Sequence, residues 1–170
     1  MKVCLIEPPK FVSLTNFLST VSMPPIGLAY IAASIREGGH EVCIIDGPGS
    51  APRNYYLLND KIRVRGLTQE EIIRRIPSDV QVIGLGCMFT SHWVFVRDLI
   101  YEIRKSFPSA FIVMGGEHIT GFPECSLENA PLDCAVLGEG EETIVELLDC
   151  IEKGLPLEEV AGLAYRDCPG

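Results

Sequence analysis

The sequence is short of positive charge. Fourteen lysines and arginines stand against 23 acids, a formal net charge of −9, and no basic stripe is present. Such a surface has nothing with which to release counterions from a phosphate backbone, which argues against nucleic acid, and it is equally unsuited to an anionic membrane face. No apolar run approaches the length of a bilayer span, and Met1-Lys2-Val3 enters a strand at once without the regions of a signal peptide. Seven cysteines are present, yet none form a Cys-x-x-Cys pair or a Cys/His doublet of zinc type. Their odd number and the position of Cys4, Cys43 and Cys134 in predicted strands suit a reducing compartment, where a thiol is a small apolar residue. The expected setting is therefore a soluble, cytoplasmic protein with no nucleic acid and no membrane as partner. Catalytic tools are scarce too. There is no Gly-x-Ser-x-Gly elbow, no Gly-x-x-x-x-Gly-Lys-Ser/Thr loop and no acid/base pair at useful spacing.

What is present is a chain of 170 residues with 47% hydrophobic content, enough for one sizeable core. Apolar runs at 2–6, 41–46, 80–86, 111–115 and 133–137 read as buried parallel strands. Between them, apolar residues recur at helical spacing. Leu28, Ile31, Ala32 and Ile35 follow Pro24-Pro25 and stop at Gly38-Gly39. Val96, Leu99, Ile100, Ile103 and Phe107 follow Thr90 or Ser91 as a cap, and Ile144, Leu147, Leu148 and Ile151 stop at Gly154. Thr68-Gln-Glu-Glu71 predicts a capping box with Leu67 and Ile72 as its staple. Residues 55–58 and 62–64 suggest a small hairpin laid over the sheet edge, residues 8–23 a long loop whose apolar members suit a lid, and 123–129 at most a short helix. Residues 160–166 read as one more strand, followed by a turn at 167–170. The alternation predicts a doubly wound α/β fold, a mainly parallel five-stranded sheet in flavodoxin-like order, with an extra C-terminal strand.

The unusual residues gather at strand C-termini: Glu7-Pro8-Pro9, Cys87 to Ser91, Gly115 to Thr120 and Gly138 to Glu141. In open α/β sheets these ends share the ligand-binding rim. Glycines and small hydroxyls there suit the holding of a cofactor better than the making or breaking of bonds. Gly115-Gly116 ends a buried strand with two Cβ atoms missing, and Gly27 leaves a helix start bare. Cys87 sits near a helix N-terminus that would lower its pKa, though a small packing residue beside a ligand suits it better. His118 is expected as a polar loop residue rather than a metal ligand, His92 as a surface or capping residue, and His40 as structural on the opposite rim. Glu139 and Glu141 complement a helix dipole.

Four motifs in order carry a resemblance. Met23-Pro-Pro-Ile-Gly-Leu-Ala-Tyr-Ile-Ala-Ala33 with Gly39-His40-Glu41-Val42, then Gly115-Gly116-Glu117-His118-Ile119-Thr120, Asp133-Cys-Ala-Val136 and Gly138-Glu139-Gly140-Glu141, together resemble the cobalamin-binding domain of radical S-adenosylmethionine enzymes. That family includes the anaerobic magnesium-protoporphyrin monomethyl ester oxidative cyclase and cobalamin-dependent methyltransferases. The resemblance spans nearly the whole chain. It implies that the nucleotide tail of cobalamin passes Cys87, Phe89, Thr90, Ser91, Gly115 and Gly116, with Gly138 and Glu139 on its far side. It also implies that Pro25 and Gly27 approach the corrin, and that Glu117, His118, Thr120, Gly140 and Glu141 belong to the binding set. No histidine follows the first strand, so none is expected on cobalt from that loop. No catalytic residue and no metal ligand is assigned within the chain.

The resemblance further implies residues 1–157 as the cobalamin-binding domain and 158–170 as the start of a connection to a downstream radical S-adenosylmethionine domain. That domain would bring a [4Fe-4S] cluster, S-adenosylmethionine and a small-molecule substrate. These 170 residues lack the Cys-x-x-x-Cys-x-x-Cys spacing that holds such a cluster, so they are expected to catalyse nothing alone. The alternative is a flavodoxin-like flavin- or nucleotide-binding module, for which Pro8-Pro9 makes a poor phosphate loop. A phospho-receiver would need paired acids after the first strand and an aspartate after the third, where Glu7 and Cys87 stand. A hydrolase built on Cys87 has no matched base.

Overall fold

Along each central strand, apolar side chains face both ways, so each must be covered on both sides. The structure, a computed structural model, describes residues 1–13, 23–60 and 62–166. Its main sheet consists of β1 (Lys2–Glu7), β3 (Glu41–Asp46), β6 (Val82–Gly86), β7 (Phe111–Gly115), β8 (Cys134–Val136) and β9 (Leu163–Tyr165), in the order β3-β1-β6-β7-β8-β9. The first five are parallel and β9 is antiparallel to β8. This is the expected flavodoxin-like order with the additional last strand. Helices α1 (Ile26–Glu37) and α7 (Glu141–Lys153) cover Val3, Leu5, Val82, Val113, Cys134 and Val136. On the other face, α3 (Gln69–Arg75) and α4 (Trp93–Ser106) cover Cys4, Ile6, Ile83, Leu85, Ile112 and Met114.

Helix ends follow their local chemistry. Thr68 Oγ1 accepts from Glu71 N while the Glu71 carboxylate accepts from Thr68 N, the predicted capping box, and Leu67 and Ile72 are buried in one cluster. Gly154 closes α7 at φ +64°, in the left-handed region that a side chain disfavours. The expected cap of α4 by Thr90 or Ser91 is not formed. A 3-10 turn over Thr90–His92 intervenes, α4 starts at Trp93, and no side chain caps it.

The loop expected over 8–23 begins as a strand instead. β2 (Lys10–Ser13) pairs with β5 (Ile62–Arg65), which pairs with β4 (Tyr55–Leu57), making a separate three-stranded antiparallel sheet in place of a lone hairpin. The ring of Phe11 lies edge-on to Phe95 at 5.8 Å and to His92 at 4.7 Å, fastening that sheet to the start of α4. The lid reading for the rest of the loop, residues 14–22, and the turn at 167–170 fall outside the described residues. Two short helices were not anticipated: α2 (Gly47–Ser50), capped by Asp46, and α5 (Glu117–Gly121), which precedes the expected α6 (Pro123–Asn129).

At the sheet end away from the strand C-termini, Arg104 joins α4 to two strands. Its guanidinium donates to Ala110 O at 2.7 Å, to Pro131 O at 3.1 Å and to the Asp133 carboxylate, which also accepts from Ile112 N at 2.6 Å. Removing the guanidinium leaves several part-buried acceptors unpaired at once. Arg104→Met should lower unfolding free energy by about 2 kcal/mol in a denaturant titration. A change below a few tenths would show that water replaces these bonds without loss.

Candidate functional site

The strand order reverses at β1, from which the chain passes to β3 on one side and then returns to β6 on the other. Such a switch point leaves a crevice at the strand C-termini. A cavity of about 490 Å³ lies there, within the ~300–1,000 Å³ range of small-molecule sites. Its inner part has an apolar wall. Leu5, Gly84 and Val113 are register neighbours on the face that α1 and α7 cover, and Leu28, Ile31, Val136 and Ile144 surround them. Gly86 continues the bare track of Gly84 toward the rim beside Gly115. The space between β6 and α1 is therefore a slot in which Leu5 lies over Gly84, 2.7 Å from where a Cβ would be, and Leu28 lies close to Gly86 at 3.2 Å.

The mouth is wider and more polar. Glu7, Lys10, Pro25, Gly27, Phe89, His92, Glu117, Gly138, Glu139, Gly140 and Glu141 border it. Burial raises the Glu7 pKa, and the Lys10 ammonium 3.3 Å away counters the shift. The His92 ring lies beside Phe11 and Phe89, and burial followed by the Lys10 charge lowers its pKa, so it is neutral near pH 7. Ile26, Met88 and Phe89 are 58%, 59% and 60% exposed, an apolar lip open to solvent.

Of the residues expected at a cofactor, the cavity gathers Pro25, Gly27, Cys87, Phe89, Gly115, Gly116, Glu117, Gly138, Glu139, Gly140 and Glu141. Thr90, Ser91, His118 and Thr120 are beside it and do not line it. His118 is a buried helical residue rather than a loop residue, 4% exposed, with both ring nitrogens engaged by hydroxyls. His40 is buried at the opposite end against the Met1 amine, as expected of a structural residue. Glu141 and Glu142 lie in the first turn of α7, where acids complement the dipole.

Cys87 keeps its expected packing role but not a lowered pKa, and the reading of Gly116 changes. Burial pushes the Cys87 thiol up to about 11 instead of the helix terminus lowering it, because α4 begins six residues later and Cys87 is 2% exposed. Its S–H faces Phe89 O at 3.5 Å, which marks a packing residue. Gly116 is bare for a different reason from its neighbour. A Cβ there would meet Cys87 O at 2.8 Å, and its φ is +103°, so the missing side chain admits backbone. At Gly115 a Cβ would meet only Val136 O at 3.8 Å and would enter the slot. Gly84 and Gly86 were not singled out from sequence, although two glycines inside a buried strand are themselves a sign of close approach.

The sequence model of the B12 binding domain matches residues 18–148. The chain belongs to the B12-binding domain family. Cobalamin is thus its cofactor, and the flavin-binding alternative is set aside. An uncharacterised methyltransferase of Pyrococcus horikoshii is 34% identical over 170 residues, covering 98% of this chain and 33% of that protein. An anaerobic magnesium-protoporphyrin IX monomethyl ester cyclase of Synechocystis is 26% identical, covering 98% of this chain and 31% of that protein. Among solved structures, the radical S-adenosylmethionine methyltransferase TsrM of Kitasatospora setae, with cobalamin and a [4Fe-4S] cluster bound, shares the fold at TM-score 0.73 and 19% identity. That match covers 99% of this chain and 28% of the other. The chain thus spans about a third of the length of the curated relatives it matches.

The Gly116 geometry gives a direct test. Gly116→Ala should cost about 1–3 kcal/mol of stability, from the Cys87 contact and the positive φ together, whereas Gly115→Ala should be nearly neutral. Equal melting temperatures for the two variants would remove this distinction.

Proposed function

We propose that the cavity between β6 and α1 receives the nucleotide tail of cobalamin while the corrin lies on the rim above. The single observation that carries this placement is the slot itself. Gly115 leaves open floor, since a Cβ there would meet only Val136 O at 3.8 Å, while Gly84 and Gly86 let Leu5 and Leu28 lie low against β6, and these two with Ile31, Val113 and Ile144 give the slot apolar walls. A planar heterocycle fits such a space by excluding water from both its faces, at about 25 cal/mol per Å² of apolar area covered. The exposed lip of Ile26, Met88 and Phe89 suits a large ring system resting over the mouth. Around that ring, the carboxylates of Glu139 and Glu141 and the Glu7–Lys10 pair offer partners for peripheral amides. Cobalamin, when bound, supplies a cobalt centre able to carry a methyl group or take part in one-electron chemistry.

Residues 1–157 form the cobalamin-binding part of a longer enzyme in this reading, and 158–170 begin its connection. The remainder would be a radical S-adenosylmethionine domain holding a [4Fe-4S] cluster and S-adenosylmethionine, acting on a small-molecule substrate by methyl transfer or oxidative cyclisation. Support comes from the four ordered motifs, and from relatives about three times the length of this chain.

Two measurements test these statements. Gly115→Leu should weaken cobalamin binding at least about tenfold in equilibrium dialysis while the far-ultraviolet circular dichroism stays that of the wild type. Undiminished binding by this variant would move the tail elsewhere. For the larger reading, reconstituted full-length protein should carry iron and acid-labile sulfide held by a Cys-x-x-x-Cys-x-x-Cys motif beyond Gly170. Full-length protein without that motif would limit the function to cobalamin carriage.

A further inference from the structure

The two rim loops that frame the cavity, residues 87–92 after β6 and 137–141 after β8, lie on either side of β7 and reach each other through α5. His118 and Thr120 each engage one of them, and neither side chain lines the cavity. The His118 backbone N–H donates to Cys87 O at 3.1 Å, and its ring Nδ1 lies 3.1 Å from Thr90 Oγ1. Thr120 Oγ1 accepts from Gly138 N at 3.0 Å and donates to Gly116 O at 3.2 Å. One helical turn thus grips both loops.

The donors and acceptors fix the state of the imidazole. Ser126 Oγ gives its only proton to Phe122 O at 2.7 Å, so toward His118 Nε2, at 3.3 Å, it accepts. Nε2 therefore carries the hydrogen. In the neutral ring Nδ1 is then an acceptor and takes the Thr90 hydroxyl proton, and burial lowers the His118 pKa in keeping with neutrality. Trp93, 4.7 Å away between ring centroids, and Phe122, at 5.6 Å, lie against the ring and hold its plane. Thr90 is exposed and lies in a single 3-10 turn, so this bond gives the 87–92 loop a fixed point. Gly138, at φ +68° and exposed, is fixed in the same way by Thr120.

We propose that His118 and Thr120 are positioning residues that do not touch the cofactor and that lock the two rim loops into the spacing cobalamin requires. The inference rests on the reading of the cavity given above. Without the brace, each loop must be ordered by the ligand as it binds, and that ordering cost appears as lost affinity.

The test uses the full-length protein, with aquacobalamin as ligand and amide hydrogen exchange as a second readout. Thr120→Val keeps the shape and loses the hydroxyl, Thr120→Ser keeps the hydroxyl, and His118→Phe keeps a flat ring without its nitrogens. Thr120→Val and His118→Phe should each raise the dissociation constant about five- to tenfold, and Thr120→Ser should bind like the wild type. In the ligand-free protein, exchange should quicken at 137–141 in Thr120→Val and at 87–92 in His118→Phe, with the strands unchanged. Wild-type affinity in Thr120→Val, an equal loss in Thr120→Ser, or faster exchange spread evenly over the sheet would each overturn the proposal. Absence of cobalamin binding by the wild type would instead overturn the reading of the cavity, and the exchange pattern would still decide whether the brace exists.

Discussion

The central constraint is that β6 must be a good strand and a bare surface at once. It lies in the middle of the sheet, paired with β1 on one side and β7 on the other, and on the α1/α7 face it presents glycine at two successive positions. Each glycine costs a strand about 0.5–1 kcal/mol through extra freedom in the unfolded chain. Double pairing and the burial of Val82, Ile83 and Leu85 offset that loss. The packing around the cavity uses this bare track for close approach. Gly84 lets the Leu5 side chain come within 2.7 Å of where a Cβ would be, Gly86 lets Leu28 of α1 come within 3.2 Å, and Gly140 lets Ile31 and Val136 close in at 3.3 and 3.1 Å.

The rim solves a second problem, that of turning sharply without burying unpaired backbone groups. Cys87 N donates to Gly115 O and His118 N to Cys87 O, so the hydrogen-bond ladder of β6 and β7 runs on past the strand ends. Gly116 makes this possible by letting the Cys87 peptide come within 2.8 Å of its missing Cβ. Adjacent glycines thus serve opposite ends. Gly115 keeps space for a ligand, and Gly116 gives space up to the protein.

Much of this was legible in the sequence where one local rule acts alone. Short apolar runs gave the five parallel strands, helical spacing with terminal glycines gave α1 and α7, and Thr68 with Glu71 gave a cap that the structure forms atom for atom. The failures lie where a tertiary contact outbids local preference. Lys10–Ser13 carries no strong strand pattern and becomes a strand because Arg63 and Val64 are there to pair with it. Thr90 makes no cap because a 3-10 turn moves the start of α4 to Trp93, and its hydroxyl pairs instead with His118, 28 residues away. The five residues of α5 are too few for any periodic signal. The family signature identified the ligand, yet it did not separate residues that face the cavity from residues that hold the walls apart, because both recur in the same short motifs.

The tryptophan of the chain is single, and it lies against the His118 ring at the inner side of the rim. Its emission is therefore sensitive to that imidazole, since a protonated ring quenches indole fluorescence and a neutral one does so weakly. A corrin arriving at the mouth would also absorb part of the same emission. The molecule thus has a native optical probe seated at the junction of its two rim loops, and one emission band would register both the state of that junction and the arrival of the cofactor.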